Sequence, residues 1–155
     1  MVRAEDYINF GRKSRYDTII SDLETRGFYL DSIKSTVEEA VANIKKKESR
    51  SFVIYGEPQS GKTEMMISLT AKLLDEGHKF IVGLLNDSLD LLKQNNTRFQ
   101  KSKLSPTAEV FTKQLLANDE NLKDIEKIIF IKKNAQDLKK FLSITNEIKD
   151  KVIID

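Results

Sequence analysis

Residues 56–63 combine glycine, lysine and threonine at a spacing that can bind a polyphosphate. They read Gly56-Glu-Pro-Gln-Ser-Gly-Lys-Thr63 and match the pattern GxxxxGK[ST]. An apolar run, Ser51 to Tyr55, comes before them, and a helical pattern follows. A chance match in a chain of this length has a probability of roughly half a percent. The pattern therefore predicts a nucleoside triphosphate site rather than a glycine turn between two core elements.

Each residue type in this loop suits a triphosphate. Gly56 permits a tight exit from a strand, and Gly61 leaves out a side chain where the backbone passes close to the β-phosphate. Lys62 is long enough to reach the β- and γ-phosphates, and the Thr63 hydroxyl can complete the shell of a Mg2+ ion. Pro58 has a fixed φ angle and lacks the backbone N–H that other residues could donate to a phosphate. The other loop residues contribute mainly through their main chains: Glu57, Gln59 and Ser60. We therefore expect ATP and Mg2+ as cofactors.

Composition excludes several classes of protein. A chain of 155 residues with 39% hydrophobic and 32% charged residues can form one globular domain but is short for two. The absence of cysteine rules out disulfides, thiol catalysis and cysteine-based zinc sites. No apolar stretch is long enough to span a bilayer and nothing resembles a signal peptide, so we expect a cytoplasmic protein without a membrane partner. A net charge of +2 permits nucleic-acid binding without demonstrating it.

Apolar runs alternate with helical patterns along the chain. Strands are predicted at Ser51–Tyr55, Phe80–Leu85, Ile128–Ile131 and Val152–Ile154. Helices are predicted at Asp17–Arg26, from Asp31 or Ser32 as cap, from the loop to Gly77, after Asp87 or Ser88, from Ser105-Pro106 through Phe111 and Leu115, and at Asn134–Asn146. This alternation predicts the α/β class, with a parallel sheet covered by helices on both faces. We expect a helical lead over residues 1–30 and a RecA-like P-loop NTPase domain over residues 31–155.

Asp155 is the candidate metal ligand at the far end of the sequence. Ligands of such sheets bind at the carboxyl ends of the strands, and Asp155 directly follows the run Val152–Ile154. This fold places there the carboxylate that orients Mg2+, although a polar chain terminus explains the residue type equally well. Because no covering element follows the last apolar strand, we expect the sequence to be the N-terminal part of a longer protein.

The order of elements over residues 30–155 resembles the first motor domain of superfamily 2 helicases and translocases. Motif I of that family corresponds to residues 56–63, and residues 82–94 lie where motif Ia touches a nucleic-acid backbone. Residues 130–134 lie where motif Ib occurs, and residues 152–155 correspond to the start of motif II. The resemblance implies catalytic roles for Lys62 and Asp155, and metal-binding roles for Thr63 and Asp155.

A narrower resemblance concerns the GxxQSGKT loop followed by a strand, a glutamine-rich helix and the pair Arg98-Phe99. This arrangement is similar to the ATPase part of endonucleases in bacterial restriction and phage-defence systems. The resemblance implies DNA as a partner through the longer parent protein, and a second motor domain downstream. Because that domain carries the arginine finger, this chain alone is expected to bind nucleotide with little or no turnover.

Two departures from the family pattern stand out. Motif Ia usually presents an arginine where this chain has Leu89. The adenine-reading glutamine has no counterpart. Phe28 or Tyr29 is a candidate to stack on the base instead, although composition favours a core role for either ring. Two other functions share the phosphate loop. One is a small-molecule or nucleoside kinase with residues 101–121 as its lid, and the other is a nucleotide-binding regulatory module without turnover.

Overall fold

The computed structural model describes residues 14–46, 51–56, 61–112 and 124–155. The elements in chain order are α1 (Arg15–Thr25), α2 (Asp31–Lys46), α3 (Lys62–Asp75), β1 (Phe80–Leu85), α4 (Leu89–Lys101), β2 (Glu109–Val110), β3 (Lys127–Lys132), α5 (Ala135–Thr145) and β4 (Lys151–Ile154). Within these residues the strands form one parallel sheet in the order β2-β3-β1-β4. The predicted α/β class is confirmed.

Successive side chains of the central strands point to opposite faces of the sheet, as the pleat requires. On one face Ile81 and Ile128 pack with the apolar stripes of α1, α2, α3 and α4. On the other face Phe80, Val82 and Ile129 pack with Phe141 of α5. The near-continuous apolar sequence of β1 and β3 follows from this burial on both sides. Helices on both faces were predicted, and the structure confirms them.

Gly83 of β1 is required by close packing rather than by backbone conformation. It pairs with Phe130 of β3, and a Cβ atom added at Gly83 would lie 2.4 Å from Cε1 of the Phe130 ring. The same ring contacts Phe99 of α4 edge-on, with the ring centroids 4.8 Å apart. Phe99 and Phe130 are both almost fully buried. The missing side chain at Gly83 therefore makes room for the aromatic pair that holds α4 on the sheet.

Gly83→Ala is expected to lower the free energy of unfolding by about 1–3 kcal/mol, because the added methyl group overpacks the Phe130 ring. Alanine would otherwise be the better strand residue, since glycine loses more backbone entropy on folding. Urea unfolding measures the effect. In a double-mutant cycle with Phe130→Leu, the combined cost should be smaller than the sum of the single costs. An unchanged urea midpoint in Gly83→Ala contradicts the prediction.

Helix ends follow local capping chemistry, and most predicted helices are confirmed. Ser14 caps α1, Ser88 caps α4 and Asn134 caps α5, each accepting a hydrogen bond from a first-turn backbone N–H. The predicted cap of α2 was wrong. Its first helical hydrogen bond runs from the Lys34 N–H to the Leu30 carbonyl (2.8 Å), so Asp31 and Ser32 lie inside the first turn.

The predicted strand Ser51–Tyr55 was wrong. Residues 51–56 form no strand, and Val53 and Tyr55 are 92% and 88% exposed. The run lies beside α2, where residues 52–55 line a shallow pocket with Thr36 and Ala40. An apolar run supplies the tendency to bury, but a strand also needs a neighbour that accepts and donates its backbone hydrogen bonds. In the described residues the backbone hydrogen bonds of the sheet join only β2, β3, β1 and β4, and β4 lies at one edge.

The short helix predicted from Ser105-Pro106 was also wrong over its described part. The Ser105–Pro106 peptide bond is cis, and β2 follows it, pairing Glu109 and Val110 with β3. The Phe111 N–H then donates to the Phe130 carbonyl (2.8 Å), and its ring packs edge-on against Phe141. Contacts distant in sequence therefore override the local helical spacing. Leu115, the other apolar residue of that prediction, lies outside the described residues.

Helix α1 packs on α3 and contributes Ile19, Ile20 and Leu23 to the same buried cluster as the main domain. Residues 1–13 of the predicted N-terminal lead lie outside the described residues. The boundary near residue 30 stays a prediction. In the part of the chain that the structure describes, no helix has the length and apolar character needed to cross a membrane.

Candidate nucleotide-binding site

Helix α3 begins directly at the predicted phosphate loop. Gly61 occupies the N-cap position in the left-handed conformation, with φ 77° and ψ 28°, and its carbonyl accepts from the Met65 N–H (2.9 Å). Glycine adopts this conformation without steric cost, which explains its place in the pattern. Within the described part of the chain no side chain caps α3. The free N–H groups and the positive end of the helix are therefore suited to an anion.

Lys62 and Thr63 are the first two residues of α3, and the Lys62 side chain is exposed. Gly56 closes the irregular segment before the loop. The predicted contributors Glu57, Pro58, Gln59 and Ser60 lie outside the described residues. Their assignment, together with the phosphate-binding role of Gly56, Gly61 and Lys62, stays a prediction.

The Thr63 hydroxyl lies in a small polar cluster formed with α4. Its Oγ1 accepts a hydrogen bond from Arg98 Nη1 (3.1 Å) and donates to Asn95 Oδ1 (3.5 Å). The Asn95 amide is oriented by its own helix, because Nδ2 donates to the Leu91 carbonyl (2.9 Å). Sequence reasoning missed Asn95 and noted Arg98 only within a resemblance. Their three-residue spacing, which places both on one helix face, was the available signal.

Asp155 lies at the carboxyl edge of the sheet, directly after β4, as the sequence predicted. Its carboxylate forms an ion pair with Lys133, which follows β3 and whose N–H donates to the Leu85 carbonyl (2.7 Å). The hydrogen bonds and ion pairs of the described residues do not connect Asp155 to Lys62 or Thr63. Joint coordination of Mg2+ by Thr63 and Asp155 stays a prediction. Over the described ranges, no group of three His, Cys, Asp or Glu side chains forms a metal cluster.

The predicted motif Ia corner lies at the same edge of the sheet. It runs from the end of β1 into α4, whose first residue, Leu89, is 59% exposed. Asp90 and Gln94 are exposed on this helix. Asp87 forms an ion pair with Lys132 at the end of β3 (3.2 Å). The ends of β1 and β3 thus present polar side chains together, as expected for neighbouring parallel strands.

The two candidate base-stacking aromatics differ in their environment. Phe28 is half-buried against the core, and the Arg26 guanidinium lies 4.9 Å from its ring centroid. Tyr29 is 75% exposed, and a hydrogen bond to the Asp31 carboxylate raises the pKa of its hydroxyl. Of the two rings, only that of Tyr29 is widely open to a ligand. A contact with adenine stays a prediction.

A parallel α/β sheet combined with this glycine-started helix defines a RecA-like domain. A protein-family model described as type III restriction enzyme, res subunit, matches residues 30–155, and the chain belongs to that family. The match identifies a superfamily 2 helicase-like ATPase region of restriction-type proteins and confirms the predicted resemblance. Neither the curated proteins nor the solved structures compared with the chain gave a match.

Proposed function

We propose that this chain binds ATP and Mg2+ through residues 56–63 and is the N-terminal motor part of a DNA helicase or translocase in a restriction or defence system. The observation that carries the proposal is the start of α3. A left-handed glycine is followed by Lys62 and Thr63 at a helix end that no described side chain caps. The family membership of residues 30–155 supports the same reading.

Each residue then has a defined part. The main-chain N–H groups at the start of α3 bind the phosphate oxygens, and Lys62 adds a positive charge toward the β- and γ-phosphates. The Thr63 hydroxyl would hold Mg2+ through its oxygen, which accepts one hydrogen bond from Arg98 and keeps a second lone pair for a metal. The Asp155 carboxylate would help to hold the metal through its bound waters. When bound, Mg2+ neutralises charge on the β- and γ-phosphates.

Motor function needs partners beyond this domain. We propose a second motor domain downstream, which closes on the nucleotide and supplies an arginine finger, so that this chain alone shows little turnover. DNA binds the longer protein along the edge formed by residues 82–94 and 130–134. The kinase alternative needs a movable lid over residues 101–121. Its described part is instead tied to the sheet through β2, with Leu104 and Ala108 buried.

ATP hydrolysis by the longer protein that we propose is expected to be stimulated several-fold by DNA, whereas this chain binds DNA weakly. Phosphate contacts release counterions, so the affinity of the chain for a DNA duplex should fall about ten-fold or more between 50 and 200 mM salt. Fluorescence anisotropy measures the binding, and phosphate release measures the hydrolysis. Transfer of phosphate to a small acceptor, without stimulation by DNA, would select the kinase instead.

A further inference from the structure

The Arg98 guanidinium lies beside Thr63, the second residue of α3 and the hydroxyl that we propose binds Mg2+. It comes from the last turn of α4 and donates to the Thr63 hydroxyl across 35 residues of sequence (3.1 Å). No ion pair within the described ranges joins Arg98 to a carboxylate, including Glu64 in the first turn of α3. The side chain therefore brings an uncompensated positive charge to a helix end that is already electropositive.

The hydrogen bonds of Thr63 show which side of its hydroxyl faces Arg98. Arg98 donates to Thr63 Oγ1, so its guanidinium lies on a lone-pair side of that oxygen. This is also the side from which Mg2+ would approach. A Mg2+ ion held by the Thr63 hydroxyl would also bind phosphate oxygens of the nucleotide, which would bring that anion close to the Arg98 guanidinium.

The backbone that carries Arg98 is held in place by the core contacts of α4, so the guanidinium stays close to Thr63. Phe99, its neighbour, is 2% exposed and packs edge-on against Phe130, and Leu92 is buried on the same face of α4. Arg98 itself is exposed. If its guanidinium turned from Thr63 to a bound triphosphate, it would form paired, charge-assisted hydrogen bonds with the phosphate oxygens.

We propose that Arg98 binds the γ-phosphate from within the same chain and makes this domain select ATP over ADP. The proposal rests on the proposed function of residues 56–63. The main-chain loop and Lys62 would serve mainly the β-phosphate, whereas Arg98 lies on the Thr63 side of the site, where Mg2+ would be held. The same movement links nucleotide state to α4, the helix that begins in the motif Ia corner.

Nucleotide affinities of Arg98→Gln test the proposal. Calorimetry with Mg2+ should show a Kd for ATP raised about ten-fold or more, since a charge-assisted hydrogen bond is lost, while the Kd for ADP changes less than about three-fold. Arg98→Lys keeps the charge but loses the paired geometry, so its ATP affinity should be intermediate. Lys101→Gln removes the same charge one turn further along α4 and should leave both affinities unchanged. Urea unfolding verifies that the variants fold equally well.

Three results would overturn the inference. If Arg98→Gln lowers the affinities for ATP and ADP equally, Arg98 only holds the Thr63 hydroxyl in place and does not bind the γ-phosphate. Tighter ATP binding in that variant would show that Arg98 competes with the metal instead of binding phosphate. If the wild-type chain binds no ATP, the proposed function fails and this inference fails with it. If the wild-type chain binds ATP and Arg98→Gln leaves the ratio of the Kd values for ATP and ADP unchanged, only this inference is refuted.

Discussion

Lys62→Ala is expected to abolish ATP binding while the fold remains intact. Lys62 is the first residue of α3, and its ammonium group is the loop's own point charge for the β- and γ-phosphates. Losing charge-assisted hydrogen bonds to two phosphates lowers the affinity by about 100-fold or more. Calorimetric titration of ATP in the presence of Mg2+ measures the loss.

The stability of Lys62→Ala should differ from wild type by less than about 0.5 kcal/mol. The side chain is exposed, a cation at a helix N-terminus opposes the helix dipole, and alanine favours helix. Lys139→Ala is the matched control, because it removes the same charge from α5 on the opposite face of the sheet. Wild-type ATP affinity in Lys62→Ala would refute the assignment of the loop.

Phe99→Ala is expected to give the largest loss of stability, about 3–5 kcal/mol. The ring is 2% exposed and forms the edge-on contact with Phe130 that fixes α4 against the sheet. Its removal costs the transfer free energy of the ring together with the cavity left above Phe130. Denaturant unfolding, monitored by circular dichroism, gives the free energy difference.

Leu91→Ala provides the comparison on the same helix. Leu91 is 43% exposed, so its truncation should cost less than about 1 kcal/mol. Similar losses in the two variants would mean that α4 is not anchored through Phe99. Since Arg98 precedes Phe99, ATP affinity should also fall in Phe99→Ala measured well below its unfolding midpoint, and stay unchanged in Leu91→Ala.

Local chemistry made much of the structure predictable. The helices at Asp17–Arg26 and Asn134–Asn146 were readable from apolar spacing and from end signals such as Gly27 and Asn134. The strands β1, β3 and β4 were readable as apolar runs between polar turns. Spacing alone also placed Lys62 and Thr63 at a helix start after a glycine. These features depend on residues a few positions apart, which the sequence shows directly.

The failures occurred where distant partners decide the conformation. Ser51–Tyr55 has the composition of a buried strand, yet no described strand pairs with it. Glu109 and Val110 lie in a helical pattern, yet they pair with β3. Backbone hydrogen bonds are satisfied by whichever segment the packed chain brings alongside, so local propensity does not settle such positions.

The sequence by itself determined the α/β class, the family and the candidate phosphate loop, because periodicity and motif spacing are local properties of the chain. Only the tertiary structure decided that Arg98 and Asn95 contact the Thr63 hydroxyl and that Lys133 pairs with Asp155. These contacts join residues separated by 22 to 35 positions. They exist because packing of α4 and the sheet, through Phe99 and Phe130, sets where each polar side chain ends.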